Sequence, residues 1–237
     1  KSTSKYKSCK PKNELVSEYL PGHYHGIHTL DVISENEIYL ASYSGSISCW
    51  KKVRHMYNWK CKKVFQAHDD WIWDLKHYFY NKVLYVAASS YDQSISIWNT
   101  SNEMLVCKIP MNGRVLSIEF TNNGNLWAIT DLGIIEIYKI DFINNRFYKL
   151  CHADLNKQFN CKCRKLKIIN DSLETTTALV LAETTKNRPI VINIKILGKD
   201  KLQITECTDI SGLVPDSVFL RAIDVLDSDR NRTYLIA

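Results

Sequence analysis

The sequence predicts an all-β protein, a propeller of four-stranded units set about a common axis, and three observations predict it. Helical periodicity is scarce along the 237 residues; short runs of apolar and β-branched residues alternate with turn residues instead. These runs fall into sets of four. Trp50 and Trp98 occupy the same place in successive sets, 48 residues apart, and Tyr138 follows 40 residues later. Such intervals suit propeller blades of about 40–45 residues.

The expected strands follow in order. The first set is Ile27–Ser34, Glu37–Ser42, Ser46–Lys52 and Lys63–Gln66, the last placed after a long basic connection. The second is Trp71–His77, Val83–Ser89, Ser94–Asn99 and Met104–Ile109, and the third is Val115–Phe120, Leu126–Ile129, Ile134–Ile140 and Phe147–Cys151. A looser fourth set is Lys165–Ile169, Ala178–Glu183, Pro189–Ile196 and Leu202–Cys207, and Phe219–Leu226 with Thr233–Ala237 begin a fifth. The expected organisation is a basic segment over 1–22 (extended or a closing strand), then units at 23–67, 68–110, 111–152, 160–208 and a partial one at 217–237. A first residue other than Met and an interrupted fifth unit lead us to expect part of a longer ring, completed by further chain or by a partner's strands.

Composition narrows the class. Hydrophobic residues make up 45% and charged residues 24%, the ordinary balance of a globular protein. No apolar run approaches the roughly 18 residues of a membrane span, and no signal peptide is visible, because the Lys-rich start has no apolar core behind it. Aromatic content of 11% argues against broad disorder. The net charge of +6 is mild for a protein that coats nucleic acid. The eight cysteines are irregularly spaced, and several sit inside apolar alternations, so all are expected as reduced thiols in the cytoplasm or nucleus.

The second unit carries the most specific residues: Ala67-His68 before its first strand, Asp92 in the turn between its second and third, and Trp98-Asn99 at the end of the third. This arrangement resembles the WD40 repeat, with Ala67 for the family's Gly and Asn99 for its final Asp. The resemblance implies a buried polar chain within the blade: the turn Asp accepts hydrogen bonds, the His bridges, and a second-strand Ser or Thr reaches the Trp N–H. That Ser position falls on Ala88 unless the register slips by one to Ser89. The first unit repeats the pattern around Trp50 with a shortened turn and no Asp. The third keeps Asp131 in the turn and replaces Trp by Tyr138, and the fourth is recognisable only as strands. The resemblance therefore covers about residues 23–151. It further implies a partner-binding face made by the loops into each first strand and the turns between second and third strands, which here carry Tyr24, Tyr43, Trp71, Tyr91 and Arg114. Tyr, Trp and Arg dominate interface energetics.

Other constellations are weaker. His23, His25 and His28 form the densest histidine cluster and are candidate zinc ligands; the alternative is a loop with one structural histidine. Cys151-His152 with Cys161 and Cys163 is a second metal candidate with an unusual one-residue Cys gap. Asp69-Asp70 reads as a loop cap. No phosphate-binding glycine loop or nucleophile elbow is present, so no cofactor is expected. Lys51, Lys52, Arg54, Lys60, Lys62 and Lys63 flank Tyr57 and Trp59, a mixture that suits RNA contact, with Lys162, Arg164, Lys165 and Lys167 as a further cluster. The function expected is a non-catalytic scaffold that binds other protein subunits of an intracellular eukaryotic complex. Its alternatives are an RNA-associated propeller acting through the basic clusters, and a metal-dependent hydrolase using His23, His25 and His28.

Overall fold

The computed structural model describes residues 26–53, 59–172, 175–197, 201–213, 220, 223–228 and 231–236. They form four four-stranded sheets and a hairpin, each antiparallel and paired in chain order. Blade 1 comprises β1 (Ile27–Ser34), β2 (Glu37–Ser42), β3 (Ser46–Lys52) and β4 (Trp59–Gln66). Blade 2 comprises β5 (Ile72–Tyr80), β6 (Val83–Ser90), β7 (Ser94–Asn99) and β8 (Met104–Pro110). Blade 3 comprises β9 (Val115–Phe120), β10 (Asn125–Thr130), β11 (Ile134–Asp141) and β12 (Arg146–Asp154). A short helix, α1 (Leu155–Phe159), leads into blade 4: β13 (Cys161–Asp171), β14 (Thr175–Thr184), β15 (Pro189–Leu197) and β16 (Lys201–Asp209). The hairpin is β17 (Ile223–Ser228) and β18 (Asn231–Ile236).

Each first strand packs on the next, β1 on β5, β5 on β9, β9 on β13 and β13 on β17, so the first strands are the inner ones. Apolar cores lie between consecutive sheets. Tyr39, Ile47 and Cys49 of blade 1 meet Leu75, Leu84 and Val86 of blade 2. Ile95 and Ile97 meet Ile118, Leu126 and Tyr138, and Trp127 and Ile137 meet Val180, Ile192 and Ile194. Because both faces of a blade are covered, its middle strands are apolar or small at nearly every position rather than alternately: β6 is buried from Leu84 to Ser90. Outer strands such as β12 alternate with solvent.

Two bulges recur in every blade and prove the units equivalent. One lies in the inner strand, with register shifts between Ile27 and Thr29, between Ile72 and Asp74, opposite Ile129/Thr130 in β9, and between Cys163 and Lys165. The other sits between the third and fourth strands, at Cys49/Trp50, Ile97/Trp98, Ile137/Tyr138 and Asn193/Ile194. Trp50, Trp98 and Tyr138 are thus the same corner of successive blades. Ile194 is their counterpart in blade 4, which the sequence reading did not find. A bulge kinks the strand and tightens its twist, so its repetition gives each sheet the same curvature.

The turn between second and third strands also repeats. Gly45, Gln93, Gly133 and Asn187 take left-handed φ values of 77°, 64°, 81° and 57° there. Gly45 has no substitute, since a Cβ at that position would lie 2.1 Å from the His68 carbonyl oxygen. One expectation is corrected. The basic residues after Trp50 do not all lie in a connection: β4 begins at Trp59, so Lys60, Lys62 and Lys63 are strand residues, and Lys51 and Lys52 end β3.

Candidate functional site

The polar chain of blade 2 is continuous. Trp98 Nε1 donates to Ser96 Oγ at 2.9 Å, Ser96 Oγ lies 2.7 Å from His68 Nε2, and His68 Nδ1 lies 2.9 Å from Asp92 Oδ2. With the proton on Nδ1, donors run in one direction from Trp98 to Asp92. The bridging serine is therefore Ser96 of the third strand, not residue 88 or 89 of the second. Two residues apart on one strand, Ser96 and Trp98 share a face, whereas Ala88 carries no hydroxyl and Ser89 Oγ accepts the Asp74 N–H at 3.0 Å. The same i, i+2 device recurs: Trp50 Nε1 donates to Ser48 Oγ at 2.8 Å, and the Tyr138 hydroxyl donates to Glu136. In blade 4 the pair is Ile192 and Ile194, both fully buried, so an apolar contact replaces the polar one and the motif vanishes from the sequence.

Asp92 also accepts from Ser94 Oγ at 2.5 Å and faces Lys108 Nζ at 3.2 Å. Burial alone would raise its pKa, but the bonds from His68, Ser94 and Lys108 outweigh burial and hold the carboxyl well below its usual range. A folded-state pKa below the unfolded one stabilises above the unfolded value, near 3.9, and that stabilisation is lost as pH falls further. Asp92→Asn is therefore expected to lower stability at pH 7 and to flatten its dependence on pH below about 4, as measured by urea unfolding across pH. In blade 1 the missing turn carboxylate is replaced by three hydroxyls, Ser42, Ser44 and Ser46, mutually 2.7–2.9 Å apart.

One face of the disc gathers aromatic side chains. Its scaffold is a backbone bond repeated in all four blades: Tyr43 N to Gly26 O at 3.1 Å, Tyr91 N to Trp71 O at 2.9 Å, Asp131 N to Arg114 O at 2.9 Å, and Thr185 N to Asn160 O at 3.1 Å. Each joins the second–third turn to the entry of the inner strand. Tyr43 and Trp71 have centroids 4.6 Å apart, Trp71 and Tyr91 stack at 5.6 Å, and the Arg114 guanidinium lies 4.9 Å from the Tyr91 centroid. Trp71 is 44% exposed and Arg114 is exposed. Asp70 Oδ1 caps the Trp71 N–H at 2.7 Å.

Two members of this face were not anticipated. His28 and Trp73 are the extra residues of the inner-strand bulges, which turn them from the expected strand alternation onto this surface. His28 Nδ1 lies 2.8 Å from the Tyr43 hydroxyl, its ring is 4.2 Å from Trp73, and Trp73 stacks on Tyr91 at 4.8 Å. The result is a continuous path from His28 and Tyr43 through Trp73, Trp71 and Tyr91 to Arg114.

A second unanticipated group lies around the axis. Asp74, only 3% exposed, follows the blade 2 bulge; Ser117 and Lys165 hold the same place in blades 3 and 4. Asp74 Oδ2 accepts from Ser117 Oγ at 2.8 Å, Ile118 N at 3.2 Å and Lys165 Nζ at 2.6 Å, so one carboxylate ties three blades together. Two residues along each strand, Lys76 meets Glu119 at 3.1 Å. Burial disfavours the Lys76 charge, yet Asp74, Glu119 and Asp31 raise its pKa above the usual range; burial raises Glu119.

Several candidates fall elsewhere. His23, Tyr24, His25 and Arg54 lie outside the described residues, as does the basic segment 1–22. Cys161 and Cys163 are both buried; contact with Cys161, then burial, pushes the Cys163 thiol up. The seven described cysteines are free thiols, and among the described residues no three His, Cys, Asp or Glu side chains gather as a metal would need. No described helix is long and apolar enough to cross a membrane.

Sheets in meander order, inner strands succeeding one another about an axis, and a Trp–Ser–His–Asp chain define a WD40-type β-propeller. Residues 59–99 match the WD40 family (WD domain, G-beta repeat), so this segment carries a WD40 repeat. Its fold is similar to that of the WD40 domain of coronin from Toxoplasma gondii, with 10% sequence identity and a TM-score of 0.61. That match covers 86% of this chain and 51% of the coronin chain, so the present chain spans about half of that chain's length. Comparison with curated proteins finds none that matches. The fold supports a protein-interaction scaffold in general terms.

Proposed function

We propose that this protein is a non-catalytic scaffold that docks a partner protein on the His28–Tyr43–Trp71–Tyr91–Arg114 face, within an intracellular multi-subunit assembly. The observation that carries this reading is the continuous aromatic path ending in an exposed arginine, held on turns that rigid strands fix in place. Stacked aromatics lose little side-chain freedom on binding, and Trp, Tyr and Arg are the residues most often found to dominate binding energy. The irregular spacing of the eight cysteines, several of them inside apolar alternations, favours reduced thiols and so a compartment such as the cytoplasm or nucleus.

Affinity capture from a eukaryotic lysate with quantitative mass spectrometry tests it. Arg114→Ala and Tyr91→Ala are each expected to weaken the same set of partners by about 1–2 kcal/mol, roughly 5- to 30-fold, with thermal unfolding of Arg114→Ala close to wild type. A partner set unchanged in both variants would remove this face from the proposal.

A further inference from the structure

A recess lies at the opposite ends of the strands from the aromatic face. It is a cleft of about 660 Å³ between blades 1 and 2. Its floor is Tyr39 and Cys49, both buried in the core between the blades. Lys51, Lys62, Lys63 and Lys82 line it, with Phe79, which is 53% exposed. The strand register explains the density of lysines: the bulge opposite Cys49/Trp50 makes Lys62 the extra residue of β4, and both Lys62 and its neighbour Lys63 line the cleft.

The charges divide into two kinds. Lys51 pairs with Glu37 at 3.1 Å, and Lys63 with Glu103 at 3.5 Å while donating to the Thr100 carbonyl at 2.5 Å. Lys62 and Lys82 are exposed and have no partner among the described residues. Four ammonium groups against two carboxylates leave an excess of two positive charges beside an exposed aromatic ring. A phosphate monoester carries about −1.5 to −2 at neutral pH, which matches that excess. A base can stack on an exposed aromatic ring whatever its identity. The volume falls within the roughly 300–1,000 Å³ of small-ligand sites.

We propose that this cleft binds a nucleoside phosphate, phosphate on Lys62 and Lys82 and base on Phe79, either as a free nucleotide or as one residue of single-stranded RNA. The site shares no residue with the aromatic face, so the two readings stand or fall separately.

The test uses the whole chain at low salt. Calorimetric titrations with AMP, adenosine and inorganic phosphate run beside fluorescence anisotropy with a labelled ten-residue adenylate RNA. Lys82 has a φ of 65°, so it is replaced by Asn, which tolerates that conformation, and the paired variant is Lys62→Gln/Lys82→Asn. It is expected to weaken the phosphorylated probes about tenfold or more, as loss of charge-assisted bonds implies. Phe79→Ser is expected to weaken AMP or RNA about fivefold or more and to leave inorganic phosphate unchanged. AMP binding without RNA binding assigns the free nucleotide; RNA binding without AMP binding assigns the polymer. The proposal is overturned if neither probe binds, if adenosine binds as well as AMP, or if the paired lysine variant or Phe79→Ser leaves affinity for the bound probe unchanged.

Discussion

Asp74→Ala is expected to cost about 3–5 kcal/mol of unfolding free energy, read from urea titrations followed by tryptophan fluorescence. The loss does not come from a missing apolar contact. It comes from removing the acceptor that serves Ser117, the Ile118 N–H and Lys165, leaving three donors unpaired near the axis. Lys165 retains some solvent access, with 23% of its side chain exposed, so the value should fall toward the lower end of that range. Two further variants separate this account from simple disruption. Asp74→Asn keeps an acceptor for the hydroxyl and amide and should lose less. Asp74→Ala/Lys165→Met removes the orphaned cation together with its partner, and should be more stable than the sum of the two single losses predicts. Strict additivity of those losses would mean that the carboxylate and the ammonium are not coupled across the axis.

Trp98→Ala is the second large effect, expected at about 3 kcal/mol, the low end for a tryptophan truncation because the ring is only half-buried. Its indole packs against Phe65 of blade 1 with centroids 5.0 Å apart, so the cavity opens between blades rather than within one. The indole N–H also begins the chain through Ser96 and His68 to Asp92. Trp98→Phe keeps most of the packing and loses only that donor, and should cost about 1 kcal/mol. Differential scanning calorimetry of the two variants divides packing from hydrogen bonding. Equal losses would mean that the polar chain carries nearly all of the effect.

Much of the strand order was legible before any coordinates. β2, β3, β7 and β9 have the bounds read from the sequence, because turn residues such as Ser44-Gly45 and Asp92-Gln93 delimit them. β4 and β13 begin earlier than read. Their extra residues, Trp59 to Lys62 and Cys161 to Arg164, alternate apolar with charged side chains, but each run holds two cations in four residues and so reads equally as a basic connection. On the aromatic face, Tyr43, Trp71, Tyr91 and Arg114 were legible because turn positions can be counted from a motif. His28 and Trp73 were not, because each is the extra residue of a bulge and counting by twos assigns it to the wrong side.

The serine of the blade 2 chain shows the same boundary. A motif supplies the residue types, but which hydroxyl reaches the indole depends on which face of the sheet it occupies, and Ser96 shares that face with Trp98. By itself the sequence determined a repeated four-strand unit, its period and its turns, because those follow from local periodicity and backbone preference. Only the tertiary structure decided that Asp74 meets Ser117 and Lys165, 43 and 91 residues away along the chain. It also decided that Ile194 stands where the other blades place an aromatic. Both outcomes depend on setting successive blades around an axis, where the partner of a side chain is set by rotation between sheets and not by spacing along the chain.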